Sequence, residues 1–199
     1  MTQDASINDN SHSGMFADCT HLVTAPELPA TTIGAYSYES MFYNCTSLVN
    51  APTALPASNI GMYCYSSMFY NCTSLTASPT IASLTESPAF PSNTYDENYR
   101  CADNMFEGCI NLSTVHCYFT RNYALASSPG PISNKTVYLY TFRWLYNVAE
   151  TGTFYCKELA TATFTSEETQ SVMVFNGGYT TKRGYSGIPT NWTISEQSA

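Results

Sequence analysis

Eight cysteines and three histidines have the widest chemical repertoire in this chain, and their spacing decides how much of it applies. Cys19, Cys45, Cys72 and Cys109 each stand at the fifth place of the pattern M-F-x-x-C-x-x-L, which starts at Met15, Met41, Met68 and Met105. A cysteine recurring at one place in a repeat reads as a buried ladder of small apolar side chains, because free cysteine is among the most buried residue types. Cys64 and Cys101 each precede the ladder cysteine by eight residues, but Ser11 and Ser37 hold that place in the first two copies. This argues against a required disulfide within each repeat. Cys117 and Cys156 could pair elsewhere, and sequence leaves the connectivity open.

Metal and catalytic chemistry find little support. There is no C-x2-C pair, and His12, His21 and His116 form neither H-x3-H nor H-E-x-x-H, so no zinc site is expected. Asp96 and Glu97 are adjacent acids in a polar stretch, where a solvated face is expected rather than calcium, which needs more converging oxygens. No G-x-S-x-G elbow, phosphate-binding loop or dinucleotide fingerprint occurs. The expectation is a chain without catalytic residues, metal or cofactor.

The elements that carry these residues are set by the repeat. Successive motif starts lie 26, 27 and 37 residues apart, and the first two spacings suit a supersecondary unit that stacks on the next. The shared leucine opens "LVTAPELPATTIG" in the first copy and "LVNAPTALPASNIG" in the second, one residue longer. A leucine followed by a small residue and proline predicts a very short strand ended by a turn. Leu28-Pro29 and Leu55-Pro56 begin the return side, and Ile33 and Ile60 hold matching core places. The segments "AYSYESMF" and "MYCYSSMF" predict a helix of two turns with Tyr36 and Met41 near one face.

One such unit is too small to bury its own apolar face, so stacking must supply the partner. The fold class expected is therefore an α/β repeat solenoid with short strands and short helices. Its core columns are Met15, Met41, Met68 and Met105; Phe16, Phe42, Phe69 and Phe106; Cys19, Cys45, Cys72 and Cys109; Leu22, Leu48, Leu75 and Leu112. Residues 1–14 are a polar tail or boundary, 15–117 the repeat region with an inserted loop at about 80–100, and 118–199 a terminal repeat and cap. Within the last part, "NKTVYLYTF", "TGTFY" and "NWTI" predict strands.

Composition narrows the partners. Lys and Arg number 7 against 15 Asp and Glu, for a net charge of -8, so a phosphate backbone would be repelled and nucleic acid is excluded as a partner. No run of 18 apolar residues exists, so no membrane span is expected. Only 11% of residues are charged while 16 are tyrosines, which suit either packing or an adhesive surface. Tyr38, Tyr43, Tyr65 and Tyr70 on the repeat, extended by Tyr95 and Tyr99 in the loop, form the expected contact surface. Asn44, Asn71, Asn111, Asn134 and Asn191 begin N-x-S/T sequences, of which three follow from the repeat itself.

The units "CYSSMFYNCTSLTASP" and "GMFADCTHLVTAPELPATTIG" resemble the leucine-rich repeats of BspA-like surface proteins of Bacteroidales. The segments "WLYNVAETGTFYCKELA" and "GYSGIPTNWTI" are similar to the terminal segment of those proteins. Trp144, Val148, Ala149, Thr151, Gly152, Thr153 and Phe154 match its first block, and Gly187, Ile188, Pro189, Trp192 and Thr193 its second. Asn191 stands where that segment has glycine, and Ser37 where the repeat has cysteine. The resemblance implies a leucine-rich-repeat-like right-handed coil with short parallel strands and a C-terminal cap. It also implies a cell-surface or secreted adhesion module whose partner is a host or microbial surface protein or glycan. The alternative is a structural spacer or scaffold domain of a larger surface or phage-associated protein.

Overall fold

The computed structural model describes residues 6–82, 101–118, 143–156, 188–189 and 191–197 with their side chains, and the backbone of residues 169–174 and 178–183. Ten strands are present among them and no helix. They are β1 (Ser6–Ile7), β2 (Thr32–Ile33), β3 (Ala54–Leu55), β4 (Asn59–Ile60), β5 (Ala77–Ile81), β6 (Thr114–Cys117), β7 (Gly152–Cys156), β8 (Thr169–Val174), β9 (Gly178–Arg183) and β10 (Trp192–Glu196).

Two parallel sheets hold eight of these strands. One has the order β1-β2-β4, with Ile7, Ile33 and Ile60 in register. The other has the order β10-β7-β6-β5-β3, with Leu55, Ile81 and Cys117 aligned across β3, β5 and β6, and Val115, Phe154 and Ile194 aligned across β6, β7 and β10. Parallel strands cannot be joined by a tight hairpin, so each must be reached by a crossover; an M-F-x-x-C segment lies in the connections from β1 to β2, β2 to β4, β3 to β5 and β5 to β6. The strands expected at "TGTFY" and "NWTI" are β7 and β10. The one expected at "NKTVYLYTF" lies outside the described residues, as does most of the loop placed at about 80–100. The antiparallel pair β8–β9 was not anticipated.

The expected two-turn helices are not formed, and the hydrogen bonds say why. Tyr36, Ser40 and Asn44 have φ of 57°, 53° and 57°, and Tyr63, Ser67 and Asn71 repeat this at 54°, 53° and 58°. A left-handed residue every fourth place breaks the i to i−4 pattern. Instead, alternate amides close three-residue turns, as from Met41 N to Tyr38 O at 3.2 Å and Cys45 N to Phe42 O at 3.2 Å. The amides between them donate to the next copy, as from Tyr38 N to Cys64 O at 3.0 Å and Ser40 N to Ser66 O at 2.9 Å. A helix this short would leave four amides unpaired at one end and four carbonyls at the other, and is marginal by itself. Turns whose other donors reach the neighbouring copy leave fewer orphans. Non-glycine residues at positive φ cost about 1–3 kcal/mol each and persist where the surroundings fix them.

The register between copies is constant. The Phe16 amide donates to Met41 O, Phe42 to Met68 O and Phe69 to Met105 O, each at 2.9 Å, and Phe106 donates to Trp144 O at the same distance. Trp144-Leu145-Tyr146-Asn147 thus takes the place of a fifth M-F-Y-N segment, which the missing Met and Cys conceal in the sequence. Gly61 has a matching constraint, since a Cβ there would lie 2.3 Å from Ala35 N.

The core runs down these columns. Phe42, Phe69, Phe106, Cys45, Cys72, Cys109, Leu48, Leu75, Leu112, Met41, Met68 and Met105 are all buried. The first copy departs from the expectation: Met15 is 52% exposed and Cys19 is exposed, while Phe16 and Leu22 are partly buried against the core. Met15 and Cys19 have the residue types of the core columns, but a described neighbour lies on one side of them only.

Candidate functional site

The cysteine column has a specific role. All eight cysteines are thiols. Cys45 Sγ donates to Phe16 O at 3.1 Å, Cys72 Sγ to Phe42 O at 3.1 Å and Cys109 Sγ to Phe69 O at 3.0 Å. Each of those carbonyls already accepts the amide of its own copy's cysteine, so the thiol fills its second lone pair. Burial pushes the Cys45 thiol up to about 11 and Cys109 to about 12, and raises Cys72 further. Desolvation leads in each case. Thiols held protonated in this way are poor nucleophiles and poor metal ligands. Ser37, at the place of Cys64, donates its hydroxyl to Asn8 O at 2.8 Å and Gly34 O at 2.9 Å.

Side chains stack along the same direction. Phe16, Phe42, Phe69 and Phe106 form a column with centroid distances of 5.5, 5.3 and 5.4 Å. Asn71 Nδ2 donates to Asn44 Oδ1 at 2.8 Å, and Asn44 Nδ2 to Asp18 Oδ1 at 2.9 Å. This ladder ties up the amides of two of the five N-x-S/T asparagines. It stops at Gly108, whose φ of 79° matches the left-handed place that Asp18, Asn44 and Asn71 occupy.

The expected tyrosine surface divides. Tyr38 and Tyr65 are buried, 2% and 1% exposed, and stack with centroids 6.3 Å apart, so they belong to the core and not to a contact surface. Their place in the turn, three residues before Met41 and Met68, turns them inward. Tyr43 is 36% exposed and Tyr70 is half-buried, with rings parallel within 7° and centroids 4.9 Å apart. Tyr95 and Tyr99 lie outside the described residues.

The column of Tyr43 and Tyr70 continues into residues that were not singled out from the sequence. Glu107 holds the equivalent place in the fourth copy, and Tyr146 holds it in the W-L-Y-N segment, whose Tyr146 carbonyl accepts the Gly108 amide at 3.0 Å. The Arg143 guanidinium forms a salt bridge with the Glu107 carboxylate and lies 4.3 Å from the Tyr146 ring centroid. Burial raises the Glu107 carboxyl above its usual range, opposed by the nearby guanidinium. Aligning "RWLYN" on "SMFYN" is the sequence signal that would have found Arg143 and Tyr146. A second tyrosine stack, Tyr36 on Tyr63 at 5.1 Å, lies elsewhere on the turns.

Other features offer less. His116 stacks on Tyr155 at 4.7 Å, and its Nδ1 bonds Gln197 Oε1 at 2.9 Å. Thr20 Oγ1 lies 3.3 Å from His21 Nδ1. A shallow depression of about 230 Å³ between Leu145–Glu150 and Ile188–Pro189 is smaller than the usual small-molecule pocket. Among the described residues, no group of three or more His, Cys, Asp or Glu could hold a metal ion, and no helix is long and apolar enough to cross a membrane. Compared with protein-family models, curated proteins and solved structures, the chain shows no match to any of them.

Proposed function

We propose that the chain is an extracellular or cell-surface binding module, built as a leucine-rich-repeat-like right-handed solenoid with a C-terminal cap and akin to the BspA-like surface proteins. Its partner is a host or microbial surface protein or glycan, and it has no catalytic role. The observation that supports this best is the stacked pair Tyr43 and Tyr70, which lies toward the surface. Tyr38 and Tyr65, three residues before Met41 and Met68, go inside instead. Amphipathic rings held rigid by stacking give contact area at little entropic cost. The constant one-copy register of the Phe amides supports the solenoid reading.

The alternative is a rigid spacer, favoured by the burial of Tyr38 and Tyr65, which shows that tyrosine serves packing here. Binding of the purified chain to arrays of glycans and of extracellular-matrix proteins, beside a folded Tyr43→Ser/Tyr70→Ser variant, separates the two. Binding that the variant loses supports the module. No binding by the parent chain supports the spacer.

A further inference from the structure

We infer that the chain associates head to tail with a second copy of itself, the W-L-Y-N segment of one molecule receiving the first M-F-x-x-C segment of the next. The inference goes beyond the binding-module reading and stands or falls apart from it.

The direction of the bonds between copies carries it. At each junction among the described copies, the earlier segment donates two amides, two residues apart, to two carbonyls of the later one. Phe16 and Asp18 donate to Met41 O and Tyr43 O, Phe42 and Asn44 to Met68 O and Tyr70 O, and Phe106 and Gly108 to Trp144 O and Tyr146 O, all at 2.7–3.0 Å. The first segment therefore has acceptors to spare and the last has donors. Among the described residues, the carbonyls of Ser11, Ser13, Met15 and Ala17 have no hydrogen-bond partner, although their counterparts Ser37, Glu39, Met41 and Tyr43 all accept amides from the first copy. The amides of Leu145 and Asn147, at the places of Phe106 and Gly108, are equally unpaired. Met15 O and Ala17 O of a second molecule complete the same pair of bonds. Two first segments cannot serve each other, because carbonyl would face carbonyl. The contact is therefore heterologous, with a different surface on each side.

The side chains agree with the backbone. Cys45, Cys72 and Cys109 give their thiols to the phenylalanine carbonyl of the preceding copy, whereas the Cys19 thiol is exposed. Leu145 O, at the phenylalanine place, has no partner among the described residues and is the matching acceptor. Asn147 is exposed, and its φ of 56° gives it the left-handed place of Asn71 in the ladder that starts at Asp18. It would meet Asp18 of the second molecule, amide against carboxylate. Leu145 itself is buried, and the depression of about 230 Å³ that it borders with Val148 and Ile188 is the way in to its amide. Met15, 52% exposed, is an apolar side chain that can fill it.

The test is sedimentation velocity of the full chain under reducing conditions, at about 5 to 500 µM, a range that brackets an association of moderate strength. The mass should climb with concentration beyond the 21.9 kDa of one chain, and labelling of Cys19 should slow as the assembly forms. Met15→Glu, at an exposed place, should stay folded and monomeric. Asn147→Asp keeps a residue that tolerates positive φ but sets carboxylate against carboxylate, and should weaken association about tenfold. Adding Asp18→Asn to Asn147→Asp restores an amide–carboxylate pair and should restore association. Thermal unfolding of each variant checks that it is folded. A chain that is monomeric at every concentration overturns the inference. So does an assembly that Met15→Glu and Asn147→Asp leave unchanged, or a loss in Asn147→Asp that Asp18→Asn does not recover.

Discussion

The first and third copies of M-F-x-x-C-x-x-L contain the same key residue types and behave differently. Met68, Phe69, Cys72 and Leu75 are wholly buried, while Met15 is 52% exposed, Cys19 is exposed and Phe16 and Leu22 are partly covered. Cys72 Sγ reaches back to a carbonyl of the preceding copy, and Cys19 has no described copy before it to reach. The difference teaches that burial here belongs to the place between two neighbours and not to the residue type. Within such an array, stability is a sum of unit terms and nearest-neighbour terms.

The largest consequence concerns the aromatic column. Phe69 stacks on both Phe42 and Phe106, so Phe69→Ala should cost about 3–5 kcal/mol by urea unfolding. Phe16 stacks on Phe42 alone, and Phe16→Ala should cost only about 1–2 kcal/mol. Equal costs would break the comparison. A smaller contrast is expected at glycine. Gly61→Ala drives a Cβ to 2.3 Å from a backbone nitrogen and should cost about 2–3 kcal/mol. Gly14→Ala meets no atom closer than 4.0 Å, and only its φ of 63° opposes the change, by about 1 kcal/mol.

The thiols sharpen the comparison further. Cys72→Ala removes a buried atom and leaves a carbonyl one partner short, at about 1–2 kcal/mol, whereas Cys19→Ala should stay within about 0.5 kcal/mol. The smallest effect is that of pH. Cys45 rises from 9.0 to about 11, Cys109 from 9.0 to about 12 and Tyr38 from 10.0 to about 12 in the folded chain. Below pH 9 these groups are protonated in both states and their contribution is fully present. Between about pH 9 and 12 the unfolded chain releases protons first, so stability falls as pH rises. Thermal unfolding from pH 7 to 10.5 should show a plateau followed by a decline. A rise above pH 9 would contradict the burial of these groups.

The repeat was legible because four copies share the four positions of M-F-x-x-C-x-x-L, and the columns of Met41, Phe42, Cys45 and Leu48 follow from it directly. The helices were misread because Tyr36 and Met41 suit a helical face, while the competing demand, amides reaching the next copy, leaves no mark in a single unit. The left-handed places are visible afterwards as Asp18, Asn44, Asn71 and Gly108, residues that tolerate positive φ. Tyr36, Tyr63, Ser40 and Ser67 hold the same conformation without being the residues that favour it, which hid the pattern. Of the expected tyrosine surface, Tyr43 is exposed and Tyr70 half-buried, whereas Tyr38 and Tyr65 are buried and gave no sign in the sequence of facing inward. Glu107 was concealed by its change of type, and Tyr146 by a motif that had lost its methionine and cysteine.

The central claim, that neighbours decide burial, is tested most directly by counting reactive thiols in the folded chain with a colourless disulfide reagent at pH 8 and mapping the labelled peptide. The account predicts one rapidly reacting thiol, Cys19, with Cys45, Cys64, Cys72, Cys101, Cys109, Cys117 and Cys156 reacting only on unfolding. Rapid labelling of Cys45 or Cys72 in the folded chain would contradict it.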